Sequence, residues 1–185
     1  MIAPSLPVLA AISGGSDSTA LLLRLRTEFG TGNLFAATVD HGLRAEAADE
    51  ARWVEALCAE LGIPHATLRW IDGQKAAASA RVARYDLLLE HARSVGAKTI
   101  ALGHTKDDQA ETVFMRAMRL RIESNTRGLS GMSAYTHHIG LTLWRPLLGE
   151  TRAAVRAELI AKDLNWIDDP SNVDPDSERV RVRNH

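Results

Sequence analysis

Short apolar runs alternate along this chain with longer stretches in which apolar residues recur every three to four positions, the patterns of strands and amphipathic helices. Val8 to Ile12 reads as a strand, and the leucine-rich stretch Ser18 to Phe29 as a helix stopped by Gly30 and Gly32. Leu34 to Val39 is a second strand, ending at Asp40-His41-Gly42, and Ala45 to Leu61 a helix closed by Gly62. His65 to Trp70 is a third strand. The following helix, Ala77 to Val95, carries Val82, Tyr85, Leu88, Leu89 and Ala92 along one face, with Gly96 past its end. Thr99 to Leu102 is a strand leading into Gly103-His104, and Asp108 to Arg119 a helix with Ala110, Val113, Phe114 and Ala117 facing inward. Leu120 to His138 reads as loop or irregular chain, Ile139 to Trp144 as a fifth strand and Thr151 to Leu164 as the last helix.

This alternation predicts an α/β fold, a three-layer α/β/α arrangement around a parallel five-stranded sheet. Residues 1–168 form one domain by this reading. The polar stretch 169–185, with Pro170 and Pro175, reads as an exposed tail or linker, and no internal repeat is present. In such sheets ligands bind beyond the carboxyl ends of the strands, where strand order reverses. The distinctive polar residues follow strand ends: Ser13 to Ser18, Asp40-His41, and His104 with Asp107 and Asp108. They are expected to converge in one cleft.

The richest of these segments is Ser13-Gly14-Gly15-Ser16-Asp17-Ser18, set between strand and helix. Backbone N–H groups at a helix start favour phosphate. The glycines allow close approach, and the serine hydroxyls can donate to phosphate oxygens. A carboxylate beside phosphates repels them unless a cation lies between, so Asp17 points to bound Mg²⁺. No Lys stands where a Walker A loop needs it, and GxGxxG is absent. A nucleophile elbow fails at its last glycine, which is Ser18 here. An ordinary strand-to-helix turn capped by Ser or Asp is the plainer alternative.

The second segment, Gly103 to Thr112, holds Asp107, Asp108 and Glu111. Asp108 and Glu111 stand three apart at a helix start, so a capping box competes with a metal-binding or amine-binding role. His41 either caps and packs, or positions substrate as a neutral imidazole. Arg81 and Arg84 share a helix face, with solvation the plain reading and phosphate contact the sharper one.

Composition narrows the field. The 185 residues carry a formal charge of −1, giving no global argument for nucleic acid, although arginines cluster at Arg116 to Arg127 and Arg179 to Arg183. Cys58 is the single cysteine and falls on an apolar helix face, which excludes a disulfide framework or a cysteine metal site. With no basic leader and no apolar run of spanning length, the expectation is a cytoplasmic protein without a membrane partner.

Ser-Gly-Gly-Ser-Asp-Ser after a first strand resembles the PP-loop of ATP pyrophosphatases. Further stretches narrow the resemblance to the catalytic domain of bacterial tRNA(Ile)-lysidine synthetases: Val39 to Arg44, Ala80 to Tyr85, Leu102 to Thr112, Gly128 to Met132, Arg145 to Leu148 and Asp169 to Asn172. The resemblance implies an adenine nucleotide alpha hydrolase-like fold and an ATP-dependent ligase using Mg²⁺. That ligase adenylates the wobble cytidine of tRNA(Ile), then joins free L-lysine to it, releasing AMP and pyrophosphate. It places Ser13, Gly14, Gly15, Ser16, Asp17, Ser18, Asp40, His41, Gly103 and His104 around the nucleotide. Asp17, Asp107, Asp108 and Glu111 become catalytic, Asp17 and Asp108 metal-binding, and Arg81 and Arg84 secondary substrate contacts. It also implies a homodimer and a linker toward further C-terminal domains. The family's compact Gly-rich stretch is replaced here by Leu120 to Arg127. Alternatives are a PP-loop tRNA thiolase, a serine hydrolase using Ser16, or a non-catalytic nucleotide-binding module.

Overall fold

A computed structural model describes residues 3–40, 42, 47–70, 77–123 and 130–168, with the side chains of 77–80 and 119–123 set aside. Among the described residues six strands and five α-helices follow in the order β1 (Val8–Ala11), α1 (Ser16–Phe29), β2 (Leu34–Asp40), α2 (Ala47–Leu61), β3 (His65–Arg69), α3 (Ala77–Ser94), β4 (Thr99–Leu102), α4 (Lys106–Glu123), β5 (Tyr135–His138), β6 (Leu141–Trp144) and α5 (Arg152–Ala161). The sheet order is β3-β2-β1-β4-β6-β5, parallel except for β5, which pairs antiparallel with β6.

The sheet is buried on both faces, because successive side chains of a strand point to opposite sides. Val8 and Ala10 of β1 join Leu21, Leu22 and Leu25 of α1, Val54 and Cys58 of α2, and Val155 and Leu159 of α5 in one apolar cluster. Leu9 and Ala11 join Leu88, Leu89 and Ala92 of α3 in another. The three-layer α/β/α class holds. Cys58 lies fully buried, and burial pushes its thiol up to about 11.

Three expectations are corrected. The sheet has six strands rather than five, and its extra edge strand falls inside the stretch read as irregular. Three of the four β5 residues are exposed, so no apolar alternation marks it. Ile139 and Gly140, both at positive φ, make the turn into β6. Second, α4 begins at Lys106 and runs on through Leu120 to Glu123. Third, α4 turns Asp108 and Glu111 inward, whereas Phe114 and Ala110 are exposed. The 169–185 stretch and the Ser124 to Arg127 part of the unusual segment lie outside the described residues.

Candidate functional site

Strand order reverses between β1 and β4: β1 continues to β2 on one side, and its other neighbour arrives only after two further crossovers. Beyond the carboxyl ends of these two strands lies a cavity of about 440 Å³. Its walls are Ser13, Gly15, Ser16, Asp17 and Ser18 after β1, and Gly103, His104 and Asp108 after β4. Arg84 of α3, Arg152 and Arg156 of α5, and Ile167 and Asp168 beyond α5 complete them.

The loop holds its shape with its own serines. Ser18 Oγ donates to the Gly15 carbonyl at 3.0 Å and accepts from the Ser13 backbone N–H at 3.2 Å. Gly15 stands just before α1 in extended conformation, with no side-chain cap on the helix. The first N–H groups of α1 therefore lack an intrahelical acceptor at the cavity wall, the arrangement that receives anions. Gly14 takes φ +85°, and its carbonyl accepts from Thr19 Oγ1 at 3.2 Å and from the Ile167 N–H at 2.9 Å. Gly103 is required by packing: a Cβ there would stand 3.1–3.2 Å from the backbone of Asp17 and Ser18.

Across the cavity, Thr105 precedes α4, and the Asp108 carboxylate reaches back to it as in the return half of a capping box. Asp108 Oδ2 accepts from the Thr105 N–H at 2.8 Å and from its hydroxyl at 3.0 Å. The capping pair is thus Thr105 with Asp108, not Asp108 with Glu111. Asp107 Oδ2 accepts from the Arg152 backbone N–H at 2.8 Å, tying α4 to the start of α5. Glu111 is buried beneath.

Sequence reasoning missed the residue at the centre of this cluster. Arg152 Nε donates to Asp17 Oδ2 at 3.0 Å, Nη2 to Asp108 Oδ1 at 3.3 Å, and Nη1 lies 3.9 Å from Glu111 Oε1. Burial works against the Arg152 charge, but the Asp17 hydrogen bond and the charges of Asp108, Asp17 and Glu111 outweigh it and raise its pKa. Burial also raises Asp17 above the ordinary carboxylate value, with the Asp108 charge adding to it against the pull of Arg152 and Ser16. Arg156, one turn on, donates to Ser16 Oγ and Asp168 Oδ1, each at 3.2 Å, and lies over the Trp166 ring. The available signal was Arg152 and Arg156 at i and i+4, one face of the last helix.

His104 lies at the far wall with Nδ1 buried and unpartnered. Burial lowers its pKa to about 4; Asp108 opposes this, and Arg84, Arg145 and Arg81 reinforce it. The imidazole is neutral near pH 7. Asp40 and Arg81 are not among the cavity-lining residues. Asp40 Oδ1 accepts from the Gly42 N–H at 2.8 Å, and Arg81 is exposed over the Tyr85 ring. His41 lies outside the described residues.

Asp17 and Asp108 already face one cation, the Arg152 guanidinium, with carboxylate oxygens from two helix starts. Such hard donors suit Mg²⁺, which binds through one or two carboxylates plus substrate phosphates. Among the described residues no group of three or more His, Cys, Asp and Glu side chains forms an all-protein metal cage. No helix among them is long and apolar enough to cross a membrane.

The chain is 49% identical to the tRNA(Ile)-lysidine synthase of Mesorhizobium japonicum, an alignment covering 94% of this chain and 40% of that protein. With the enzyme of the same name from Rhizobium meliloti the identity is 46%, covering 95% and 42%. With that of Brucella ovis it is 48%, covering 95% and 41%. The chain therefore spans about two-fifths of the length of these relatives. Among solved structures, the U34-tRNA thiolase NcsA from Methanococcus maripaludis, which carries a [4Fe-4S] cluster, has the same fold with a TM-score of 0.78 at 21% identity. That match covers 98% of this chain and 65% of that one. The NH3-dependent NAD synthetase from Campylobacter jejuni matches with a TM-score of 0.55 at 16% identity, covering 85% and 64%. The profile of the PP-loop domain matches residues 4–185, and with the loop after β1 at the mouth of the cavity, the chain belongs to the PP-loop family.

Proposed function

We propose that this chain is the nucleotide-binding, catalytic part of an ATP-dependent ligase that joins L-lysine to the wobble cytidine of tRNA(Ile). The observation that carries this reading is the 46–49% identity with relatives named tRNA(Ile)-lysidine synthase over nearly the whole chain. In this reading the Ser13–Ser18 loop receives the ATP phosphates on backbone N–H and hydroxyl donors. The cytidine carbonyl oxygen attacks the α-phosphate, pyrophosphate leaves, and a lysine amine then displaces AMP from the adenylated base. Asp17 and Asp108 would hold Mg²⁺, which neutralises charge building on the phosphates. Asp17 and Asp108 on the cavity wall, with Glu111 buried behind them, attract the lysine ammonium group, and Asp107 fixes the start of α5. The donors of the loop stabilise the departing pyrophosphate without reorganising.

A PP-loop thiolase would need reactive sulfur. The single cysteine here is buried with its thiol raised to about 11, so this chain offers no exposed thiolate. The two readings separate in one assay: the complete protein is incubated with ATP, labelled lysine, sulfide and isoleucine tRNAs, and the nucleosides are analysed. A lysine-bearing cytidine with AMP and pyrophosphate is the expected product; a thiolated nucleoside, or ATP binding without turnover, overturns the proposal. Replacing Asp17 or Asp108 by Asn is expected to lower turnover at least about 100-fold, with an unchanged far-ultraviolet circular dichroism spectrum. Parent-level turnover in either variant refutes their roles.

A further inference from the structure

Arg152 occupies the place a divalent cation would need. Its guanidinium bridges Asp17 at 3.0 Å and Asp108 at 3.3 Å, and lies 3.9 Å from Glu111. A guanidinium and a metal ion cannot share that position, because both are positive and both require the same oxygens. The backbone of Arg152 is fixed by Asp107 at 2.8 Å, but its side chain is long and partly exposed at the cavity wall. The phosphate-receiving Ser13–Ser18 loop lines the same cavity.

We propose that Arg152 is the resident cation of the Asp17–Asp108 pair and is exchanged for a divalent metal when nucleotide phosphates arrive. The guanidinium then leaves the carboxylates for the phosphates, where a planar fork of donors binds well. Before that moment it prevents the carboxylates from repelling one another and from collecting metal without nucleotide. Metal binding thereby becomes contingent on nucleotide. The inference rests on the ATP-dependent reading above, but its first test does not.

The test titrates the complete protein with Mn²⁺ alone, followed by the electron paramagnetic resonance signal of the free ion. Arg152→Gln removes the competitor and is expected to bind Mn²⁺ about tenfold more tightly than the parent. A merely structural arginine predicts the opposite, since its loss loosens the site. Arg152→Lys keeps the charge but replaces the planar fork by a single shorter-reaching ammonium, so an intermediate gain is expected; it decides the question if the Gln variant does not fold. No gain in Mn²⁺ affinity in the folded variants, or no saturable Mn²⁺ binding at all, overturns the proposal. A second arm measures ATP at saturating Mn²⁺, where metal holds the carboxylates in both proteins and Arg152→Gln is expected to bind ATP about tenfold more weakly than the parent. Equal affinity in that arm refutes the transfer to phosphate. Failure of the parent to bind ATP at all counts against the ligase reading, and the Mn²⁺ arm then judges Arg152 on its own.

Discussion

Two single residues carry consequences that can be measured separately. Gly14 stands at φ +85°, and a Cβ there would lie 2.6 Å from Ile167 Cδ1 and 3.2 Å from Val54 Cγ2. Gly14→Ala therefore combines backbone strain with a clash against two apolar side chains, and is expected to cost about 1–3 kcal/mol in urea denaturation. A loss below about 0.5 kcal/mol would show that the loop relaxes freely. His104 has its folded pKa pushed down from 6.5 to about 4, chiefly by burial. Between these values the unfolded chain binds a proton that the folded chain does not. The His104 contribution is thus fully present above pH 6.5 and is lost as pH falls toward 4. His104→Gln is expected to flatten the rise of stability with pH across this window by up to about one proton. Parallel pH profiles for variant and parent would mean that the imidazole is hydrated rather than buried.

At the scale of elements, the hydrophobic pattern sufficed wherever a segment had to bury a face. The Thr99–Leu102 strand, the alternation of strands and helices, and the polar loops at the ends of β1 and β4 were all legible. The pattern failed where burial does not decide. Only Tyr135 of β5 is even half-buried, stacked 6.2 Å from Trp144, so this edge strand is specified by pairing with β6 rather than by its own alternation. The apolar positions of α4 misled because its buried turn is acidic: Asp108 lines the cavity and Glu111 is buried beneath it, while Phe114 is exposed. Arg152 was illegible for a related reason. The i, i+4 pair Arg152 and Arg156 marks one face of the last helix, but it does not tell arginines that solvate a helix from arginines that point into a cavity formed by segments 44 and 135 positions away. The element that presents it is tied down: Arg24 of α1 reaches Glu150 at 2.6 Å and Glu158 of α5 at 2.5 Å. Hydrogen bonding to Arg24 holds the Glu158 carboxyl below its ordinary value, so this contribution exists above that value and is lost as pH falls through the lowered one. Arg24→Gln is expected to cost about 1 kcal/mol at pH 7, the upper range for partly exposed pairs. The difference should shrink in acid and in high salt. A cost independent of both pH and salt would assign it to packing of the arginine stem instead.

Across the whole molecule, the loop after β1 is completed by chain from the far end of the described fold. After α5 the backbone returns to the cavity, where the Ile167 N–H donates to the Gly14 carbonyl at 2.9 Å and the Ile167 side chain covers Gly14. Asp168 is gripped by Arg156 at 3.2 Å and by the Trp166 indole N–H at 3.0 Å, while Arg156 also reaches Ser16. Phosphate binding by backbone N–H groups requires that they already point correctly, since reorganising the loop would consume binding energy. The strap supplies that constraint from outside the loop, because Gly14 and Gly15 give the loop little stiffness of their own. Ile167→Pro removes the N–H while keeping an apolar side chain. It leaves the Gly14 carbonyl with only the Thr19 hydroxyl among the bonds described here. Loss of one such hydrogen bond is worth about 1 kcal/mol, so ATP affinity measured by calorimetry is expected to fall about 5- to 10-fold. Ile167→Val keeps the donor and should bind ATP within about twofold of the parent. If both variants bind ATP as the parent does, the loop is preorganised by its serines alone. If both lose affinity equally, the side chain rather than the N–H holds the loop.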